Sequence, residues 1–282
     1  MAIQVPEEKV KSINNSLSGD GGLVIIKIGG NIIDDELKLV SFLKSFAAIK
    51  EKKILVHGGG KIATKIGEQL DIESKYVDGR RITDAATIDL VTMVYAGLIN
   101  KKIIAQLQSY GCNAIGLTGA DANMIPAMKR PVKEIDYGFV GDVKENEFAT
   151  DTCALLLEKN IAVVFAPITH DGKGSLLNTN ADTIAQETAK AMSELYEVSL
   201  VYSFEKAGVL LDANDDQTVI EKLGPAFYQQ LKTDQKIFAG MIPKLDNAFA
   251  ALKAGVKKVI IGKAEQLEEL IAGTAGTTII NE

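Results

Sequence analysis

The sequence predicts an α/β protein in which a mostly parallel central sheet is sandwiched between layers of helices. Short, continuously apolar runs alternate with longer segments of helical periodicity, the pattern of strands that are covered on both faces. Such alternation is typical of parallel sheets whose strands are joined by helices. The apolar runs are Leu23–Ile28, Ile54–His57, Ala114–Thr118, Ala162–Ala166, Val198–Tyr202 and Lys258–Ile261. The predicted helices lie near residues 36–50, 61–70, 84–108, 151–160, 181–193, 244–254 and 264–271.

Residues 120–147 interrupt this alternation. Pro126, Pro131, Gly138 and Gly141 separate short β-like pieces there, which is the pattern of a hairpin rather than of a helix. We therefore expect a β-hairpin insertion around 120–147, at one edge of the sheet.

The chain is expected to form an arm and two lobes. Residues 1–22 are polar and end in a glycine-rich stretch, so we interpret them as a loosely attached N-terminal arm, with a weak helix as the alternative. The N-terminal lobe is expected to span residues 23–175, and the C-terminal lobe residues 176–282. The boundary is placed at His170–Ser175, which has the composition of an exposed turn.

Length and composition are those of an ordinary globular protein. Apolar residues make up 46% and charged residues 24% of the 282 positions, enough for a large core. The net charge of −6 gives no general reason to bind nucleic acid or an anionic membrane. No apolar run approaches the ~20 residues of a membrane span, and no secretory signal is seen, so we expect a cytoplasmic protein. Cys112 and Cys153 are expected to be buried, reduced thiols.

Two of the predicted strands run directly into glycine clusters. The first ends in Lys27-Ile-Gly-Gly30, and the second in His57-Gly-Gly-Gly-Lys61, which also opens a helix. Parallel sheets place ligand sites at the carboxyl ends of their strands, where glycine amides and a helix N-terminus favour an anion. We interpret both clusters as phosphate-binding turns, with a plain tight turn as the alternative. Leu55 and Ile62 stand where a P-loop needs Gly and Ser or Thr, so the second cluster is not a Walker A motif.

Several polar residues lie close to the predicted ends of strands and starts of helices. Lys27 lies within an apolar strand, where an unpaired ammonium would be costly, so it should meet an anion, either a phosphate or a structural carboxylate. Asn178, Asn180 and Asp182 precede a predicted helix, and capping alone would explain one of the three. Lys244 starts a later predicted helix.

Neither histidine is interpreted as a general base. His57 ends a strand and is expected to make a structural hydrogen bond, and His170 begins the exposed turn. A carboxylate nucleophile has a reference pKa of about 4 and is already ionised at neutral pH. A kinase that phosphorylates a carboxylate therefore needs positioning and charge neutralisation rather than proton abstraction.

Taken together, these motifs resemble the acetylglutamate kinases, a branch of the amino-acid kinase family. The matching segments occur in that family's order and nearly its spacing over residues 23–280, and the ordered set is highly specific although each segment alone is weak. They are VIIKIGG (24–30), ILVHGGGK (54–61), GRRIT (79–83), GLTGADAN (116–123), DYGFVGDV (136–143), NTNADTIA (178–185), GMIPKLDNA (240–248) and GTTI (276–279).

The resemblance implies phosphorylation of the side-chain carboxylate of N-acetyl-L-glutamate by ATP, with Mg²⁺ carried by the nucleotide, as the second step of arginine biosynthesis. It implies that Lys27 contacts the transferred phosphoryl group, that Lys244 stabilises charge on the ATP side, and that Asp182 orients both lysines. Arg81 would hold a substrate carboxylate, which suits its bidentate fork. The implied substrate-binding residues are Gly29, Gly30, Gly59, Gly60, Arg81, Asn178 and Asn180. The implied nucleotide-binding residues are Ser203, Phe204, Lys206, Gly208, Val209, Leu210, Lys236, Ile237 and Phe238.

The nucleotide segment departs from the pattern of the family. Where the family has a short Thr/Ser-Asp-Val-x-Gly-Val turn, this chain reads Tyr202-Ser-Phe-Glu-Lys-Ala-Gly-Val209, which is longer and lacks the Asp. The resemblance also implies a homodimer formed through the N-terminal lobe. Arginine-inhibited members form hexamers through an N-terminal helix and carry a histidine before the final Gly-Thr. Residues 263–269 contain no histidine, so we expect an arginine-insensitive dimer.

Three alternatives remain at this stage. N-succinyl-L-glutamate as substrate would require another cation, for which Arg80 beside Arg81 is the candidate. A related kinase acting on carbamate, aspartate, free glutamate or UMP is disfavoured by the GRRIT and NTNAD motifs. A catalytically silent ligand sensor would be expected to lack Lys27, Asp182 or Lys244, and all three are present.

Overall fold

The computed structural model describes residues 21–77, 79–212, 215–237 and 241–281. All but the last two residues of the predicted arm lie outside these ranges, as does Phe238. None of the helices in the described ranges has the length and hydropathy of a membrane span.

Short strands and helices alternate along the chain. The strands are β1 (Gly22–Ile28), β2 (Lys52–Val56), β3 (Tyr76–Val77), β4 (Arg80–Arg81), β5 (Ala114–Leu117), β6 (Ala127–Lys129), β7 (Gly141–Val143), β8 (Ala162–Phe165), β9 (Ile168–His170), β10 (Leu176–Asn178), β11 (Glu197–Phe204), β12 (Lys222–Leu223), β13 (Lys258–Lys263) and β14 (Thr277–Ile279). Eight of them form the central sheet in the order β12-β14-β13-β11-β1-β2-β8-β5. Every neighbouring pair is parallel except β13 and β14. The predicted fold class is thereby confirmed, and all six apolar runs are strands of this sheet.

Strand β1 lies near the centre of the sheet and is buried on both faces. Leu23 and Ile25 pack into the core on one face, whereas Val24 and Ile26 pack into the core on the other. A strand between two helix layers requires apolar side chains at consecutive positions, which explains the unbroken apolar run. Because β1 pairs with both β2 and β11, its carboxyl end, with Lys27, is flanked by the ends of two other strands.

Helices pack against both faces of the central sheet and complete the two hydrophobic cores. They are α1 (Gly30–Ile33), α2 (Glu36–Ala48), α3 (Gly60–Gln69), α4 (Ala85–Thr92), α5 (Asn100–Ser109), α6 (Thr150–Glu158), α7 (Ala181–Met192), α8 (Pro225–Thr233), α9 (Ile242–Lys253) and α10 (Leu267–Ala272). The predicted helix over 84–108 is divided, because a seven-residue π-helix, Met93–Ile99, separates α4 from α5. The sequence did not predict α1 or α8.

The predicted hairpin insertion is present. Strands β6 and β7 pair antiparallel, and Arg130 and Asp142 form a salt bridge across the hairpin. The carbonyl of Thr83 accepts the N–H of Phe139 at 2.6 Å. The hairpin therefore lies against the segment that follows β4.

The predicted turn at His170–Ser175 connects the two strands of a second hairpin, in which β9 pairs antiparallel with β10. Asp171 Oδ1 accepts the backbone N–H groups of Lys173 and Ser175 at 2.7 and 3.0 Å. Strands from before and after this turn belong to the same central sheet, since β11 pairs with β1 along all seven residues of β1.

Candidate active site

The first glycine turn lies where β1 ends. The N–H of Gly29 donates to the carbonyl of Ser203 at 2.9 Å, at the end of the neighbouring strand β11. Gly29 is also the N-cap of α1, a helix of four residues. The amide of Gly29 is thus already paired, whereas Gly30 starts the helix and has no helical acceptor for its N–H.

The second glycine turn, residues 58–60, joins β2 to α3. Gly59 has a φ of +149°, and a Cβ there would lie 2.2 Å from Ile99 Cδ1 and 3.2 Å from Tyr95 Cδ1, so only glycine fits. Gly59 is the N-cap of α3, a ten-residue helix. The first N–H groups of such a helix have no helical acceptor and lie at the positive end of its dipole. This turn therefore favours an anion.

Lys27, Asp182 and Lys244 form a lysine–aspartate cluster beside the first turn. Lys27 Nζ lies 2.7 Å from Asp182 Oδ1, and Lys244 Nζ lies 3.4 Å from Asp182 Oδ2. Burial by itself would raise the pKa of Asp182, but the two ammonium groups outweigh it and hold that pKa below its usual range. Two ammonium groups around one carboxylate leave a net positive charge, which suits an anionic ligand.

The start of α7 places Asp182 in this cluster. Asn180 is the N-cap of α7, and its Oδ1 accepts the N–H groups of Asp182 at 2.8 Å and Thr183 at 3.2 Å. The carboxylate of Asp182 stands in the first turn of the helix, where the dipole stabilises a negative charge. Capping uses the oxygen of Asn180, so its Nδ2 group is the part that can still donate to a ligand.

A pocket of about 240 Å³ opens beside the second glycine turn. It brings together five of the predicted substrate-binding residues, which are Gly59, Gly60, Arg81, Asn178 and Asn180. Gly29 and Gly30 do not line it. They follow Lys27, a member of the lysine–aspartate cluster, directly at the end of β1.

Arg81 is buried in the wall of this pocket and pairs with neutral groups. Its Nη2 donates to the carbonyl of Gly60 and to Thr64 Oγ1, both at 2.9 Å, and its Nη1 donates to Ser74 Oγ. The ring of Tyr76 lies 4.8 Å from the guanidinium carbon. Among the residues that the structure describes, no carboxylate forms an ion pair with Arg81. A buried cation without a carboxylate is costly, and a ligand carboxylate would offset that cost.

Asn178 connects the pocket to the first hairpin. Its Nδ2 donates to Thr83 Oγ1 at 3.1 Å, and its backbone N–H donates to the carbonyl of Phe139 at 2.8 Å. One amide hydrogen and the Oδ1 of Asn178 therefore remain for a ligand.

Tyr95, Arg130 and Asp142, to which the sequence assigned no individual role, are among the other residues that line the pocket. Arg130 and Asp142 enter because the hairpin folds over the pocket, and the sequence signals were the insertion itself and, for Asp142, the motif DYGFVGDV that contains it. Tyr95 enters from the π-helix, which no residue pattern predicted. Arg80, the candidate cation for the second carboxylate of N-succinyl-L-glutamate, also lines the pocket.

The expected nucleotide-binding residues lie at and beyond the end of β11. Ser203, Val209 and Ile237 are buried, and the backbone N–H and carbonyl of Val209 are already paired with Thr277 and Ile220. A Cβ on Gly208 would lie 2.7 Å from Thr277 Oγ1, so this position requires glycine for packing. The expected residues whose side chains remain partly or fully exposed are Phe204, Lys206, Leu210 and Lys236.

The remaining reactive side chains are held in structural positions. Both cysteines are free and buried, as predicted, and burial raises the pKa of the Cys153 thiol to about 12. His170 Nδ1 accepts the N–H of Gly172 within its hairpin turn at 3.2 Å. His57 is completely buried below the second glycine turn.

The site thus consists of a parallel sheet with glycine turns at the carboxyl ends of β1 and β2, and of two lysines, Lys27 from β1 and Lys244 from α9, that both pair with Asp182. The model of the amino acid kinase family matches residues 22–263, and the chain belongs to this family.

Two named kinases and one solved structure are similar to this chain over most of its length. The chain is 58% identical over 261 residues to an acetylglutamate kinase of Cytophaga hutchinsonii, covering 92% of this chain and 98% of that protein. It is 56% identical over 247 residues to an acetylglutamate kinase of Bacteroides thetaiotaomicron, covering 88% and 95%. Among solved structures, N-acetylglutamate synthase of Neisseria gonorrhoeae superposes with a TM-score of 0.77 at 20% identity, covering 98% of this chain and 63% of the synthase. At that identity, the superposition shows the fold alone.

Proposed function

We propose that the chain is an acetylglutamate kinase, which transfers the γ-phosphoryl group of MgATP to the side-chain carboxylate of N-acetyl-L-glutamate in arginine biosynthesis. The observation that carries the proposal is the buried guanidinium of Arg81 beside a glycine turn, with neutral partners throughout the described ranges. Such a group fits the α-carboxylate of the substrate. The identity of 55–58% to relatives of that name, over most of both chains, supports the same conclusion.

The lysine–aspartate cluster is assigned to the phosphoryl group. Charge in a phosphoryl-transfer transition state is spread over the transferring oxygens, and fixed cations stabilise it. Lys27 contacts the transferred group, Lys244 faces the leaving phosphate, and Asp182 keeps both ammonium groups in place. The attacking carboxylate is ionised at neutral pH, so the reaction needs no general base.

The pocket is assigned to the acylated glutamate. Arg81 binds the α-carboxylate, and the free amide groups of Asn178 and Asn180 donate to or accept from the substrate. Gly60 supplies a backbone N–H group to the substrate, whereas the N–H groups of Gly30 and Gly59 are assigned to the transferred phosphoryl group. The N–H of Gly29 already donates to the carbonyl of Ser203. Gly29 therefore contributes by shaping the turn, not by donating a hydrogen bond to the substrate.

ATP is assigned to the exposed groups beyond β11 and near α8, with Mg²⁺ bound to its phosphates. Phe204, Lys206 and Lys236 supply side-chain contacts, while Gly208 supplies a backbone contact. We further propose a cytoplasmic, arginine-insensitive homodimer. Met93 and Leu98, which are exposed large apolar residues of the π-helix in the N-terminal lobe, support a contact between two copies there.

The test is ADP release from MgATP with N-acetylglutamate, N-succinylglutamate or free glutamate, with Lys27→Ala as the control. We expect turnover with N-acetylglutamate that the control abolishes. Turnover only with N-succinylglutamate would move the assignment to the other acyl group and give Arg80 a role. No turnover with any of the three would reject the proposal.

A further inference from the structure

His57 lies below the second glycine turn, where the proposed reaction uses it neither as an acid nor as a base. Its Nδ1 lies 2.8 Å from the carbonyl oxygen of Gly58, and its Nε2 lies 3.2 Å from Nδ2 of Asn100. Burial lowers the pKa of His57 to about 4, so the ring is neutral at pH 7. Both ring nitrogens therefore have a partner, and the ring has one defined orientation.

The partners decide which ring nitrogen carries the proton. A carbonyl oxygen can only accept, so Nδ1 of His57 donates to Gly58 and Nε2 accepts from Asn100. The orientation of Asn100 agrees with this, because its Nδ2 also donates to the carbonyl of Val164 at 3.0 Å and its Oδ1 accepts from Lys101 Nζ at 3.1 Å. The network thus fixes the tautomer of His57.

Fixing the carbonyl of Gly58 also fixes the amide that follows it. In a planar trans peptide, the C=O and N–H groups of one unit point in opposite directions. The carbonyl of Gly58 points at the buried ring of His57. The N–H of Gly59 therefore points away from the core, to the side on which Gly58, Gly59 and Gly60 line the pocket.

The π-helix holds the turn from another side. Ile99 leaves no room for a Cβ on Gly59, and Asn100, the next residue, is the partner of His57. Asn100 itself fills the space over Gly116, where a Cβ would lie 1.8 Å from its Oδ1. Ile99 thus restricts the conformation of the turn at Gly59, and the adjacent Asn100 orients the imidazole of His57.

We propose that His57 is a positioning residue, which aims the N–H of Gly59 at the group undergoing transfer. The proposal rests on the proposed function for the identity of that group. A donor that is aimed at the reacting centre acts most strongly in the transition state, where charge develops. If the N–H of Gly59 is no longer directed at that group, kcat should therefore fall by a larger factor than KM rises.

Three substitutions at this position separate the two hydrogen bonds. The amide nitrogen of Asn can take the place of Nδ1, whereas the longer side chain of Gln places its amide near Nε2, and Leu keeps neither bond. We expect His57→Asn to keep kcat within about fivefold of the native value. We expect His57→Gln and His57→Leu to lower kcat about 30-fold or more, with KM values within about threefold.

The control is His170→Asn, which removes the other histidine and should leave kcat and KM within about twofold of native. If His57→Leu fails to fold, the comparison between Asn and Gln still decides the matter. Equal kcat values for those two variants, or a raised KM with native kcat, would overturn the proposal. Absence of turnover in the native enzyme would instead reject the proposed function.

A measurement without turnover keeps the two outcomes apart. In protein labelled with ¹⁵N-glycine, the amide resonance of Gly59 should shift when the non-hydrolysable nucleotide AMP-PNP and Mg²⁺ are added. We expect the shift in the native protein and in His57→Asn, and a shift at least about threefold smaller in His57→Gln. The same shift in all three proteins would overturn the positioning role.

Discussion

The lysine–aspartate cluster and the pocket around Arg81 hold positive charge in different ways. In the cluster, Asp182 lies between two lysines and already neutralises part of their charge. In the pocket, Arg81 is buried against a carbonyl and two hydroxyl groups. A cation that is locked by a carboxylate is positioned before the ligand arrives, whereas one with neutral partners gains its counter-ion from the ligand. The first arrangement should govern kcat and the second should govern KM.

The largest effect is expected for Lys27→Ala. Removing the shorter ion pair of the cluster removes a fixed charge from the transferring group, so kcat should fall by about 1,000-fold or more. ADP release at saturating substrates measures it. Lys38→Ala is the matched control, because Lys38 is exposed and its ion pair to Glu265 is 3.8 Å long. Equal activity in Lys27→Ala and the control would contradict the assignment of the cluster.

Arg81→Lys should change KM. Lysine keeps the charge but lacks the planar fork, so the KM for the acylated glutamate should rise about 30- to 100-fold while kcat stays within about threefold. The KM for ATP, measured in the same series, is the internal control and should be unaffected. A collapse of kcat with a native KM would mean that both regions act on the transition state, and the contrast between them would disappear.

Asp182→Asn should destabilise the folded protein by about 2 kcal/mol at pH 7, because it leaves two partly buried lysines without a carboxylate. The pKa of Asp182 is lowered in the folded state, so its contribution is present above the unfolded value of about 3.9 and is lost as the pH falls further. Urea unfolding from pH 7 downward should show a constant deficit that shrinks below about pH 3.9. A deficit that grows in acid is the result that would falsify this linkage.

The smallest effect is expected for Lys244→Met. The ammonium of Lys244 lies 3.4 Å from the carboxylate and its side chain is 30% exposed, so the substitution should cost less than about 1 kcal/mol of stability. Urea unfolding beside Asp182→Asn measures the difference. A loss as large as that of Asp182→Asn would show that the ion pair to Lys244 accounts for most of the stability that Asp182 contributes.

The fold could be predicted because burial on both faces leaves a strong signal in the sequence. The six apolar runs became strands of one sheet, and each of the seven predicted helical segments contains a helix. Helix α8 escaped prediction because only Tyr228 and Leu231 of its nine residues are buried, too few for a clear stripe. The π-helix also escaped, since a π-helix is defined by backbone hydrogen bonds and leaves no distinct residue pattern.

The site was predictable where it depends on strand ends and helix starts. Lys27 and the glycine turns follow from the positions of β1 and β2, and Asp182 follows from the start of α7. The neutral partners of Arg81 could not be predicted, because Thr64 and Gly60 lie 17 and 21 positions away and meet it only through the tertiary fold. The burial of Ile237 could not be predicted either, because a single apolar residue beside Lys236 forms no periodic pattern in the sequence.

The pairing of β1 with β11 also determines how the molecule comes apart. Both core clusters contain residues from before and after residue 175, and the seven-residue pairing joins the two halves at the middle of the sheet. Separating the halves would expose two apolar faces and two long unpaired strand edges at once. The chain should therefore lose its structure in a single cooperative transition, and neither half should persist alone after a cut at that point.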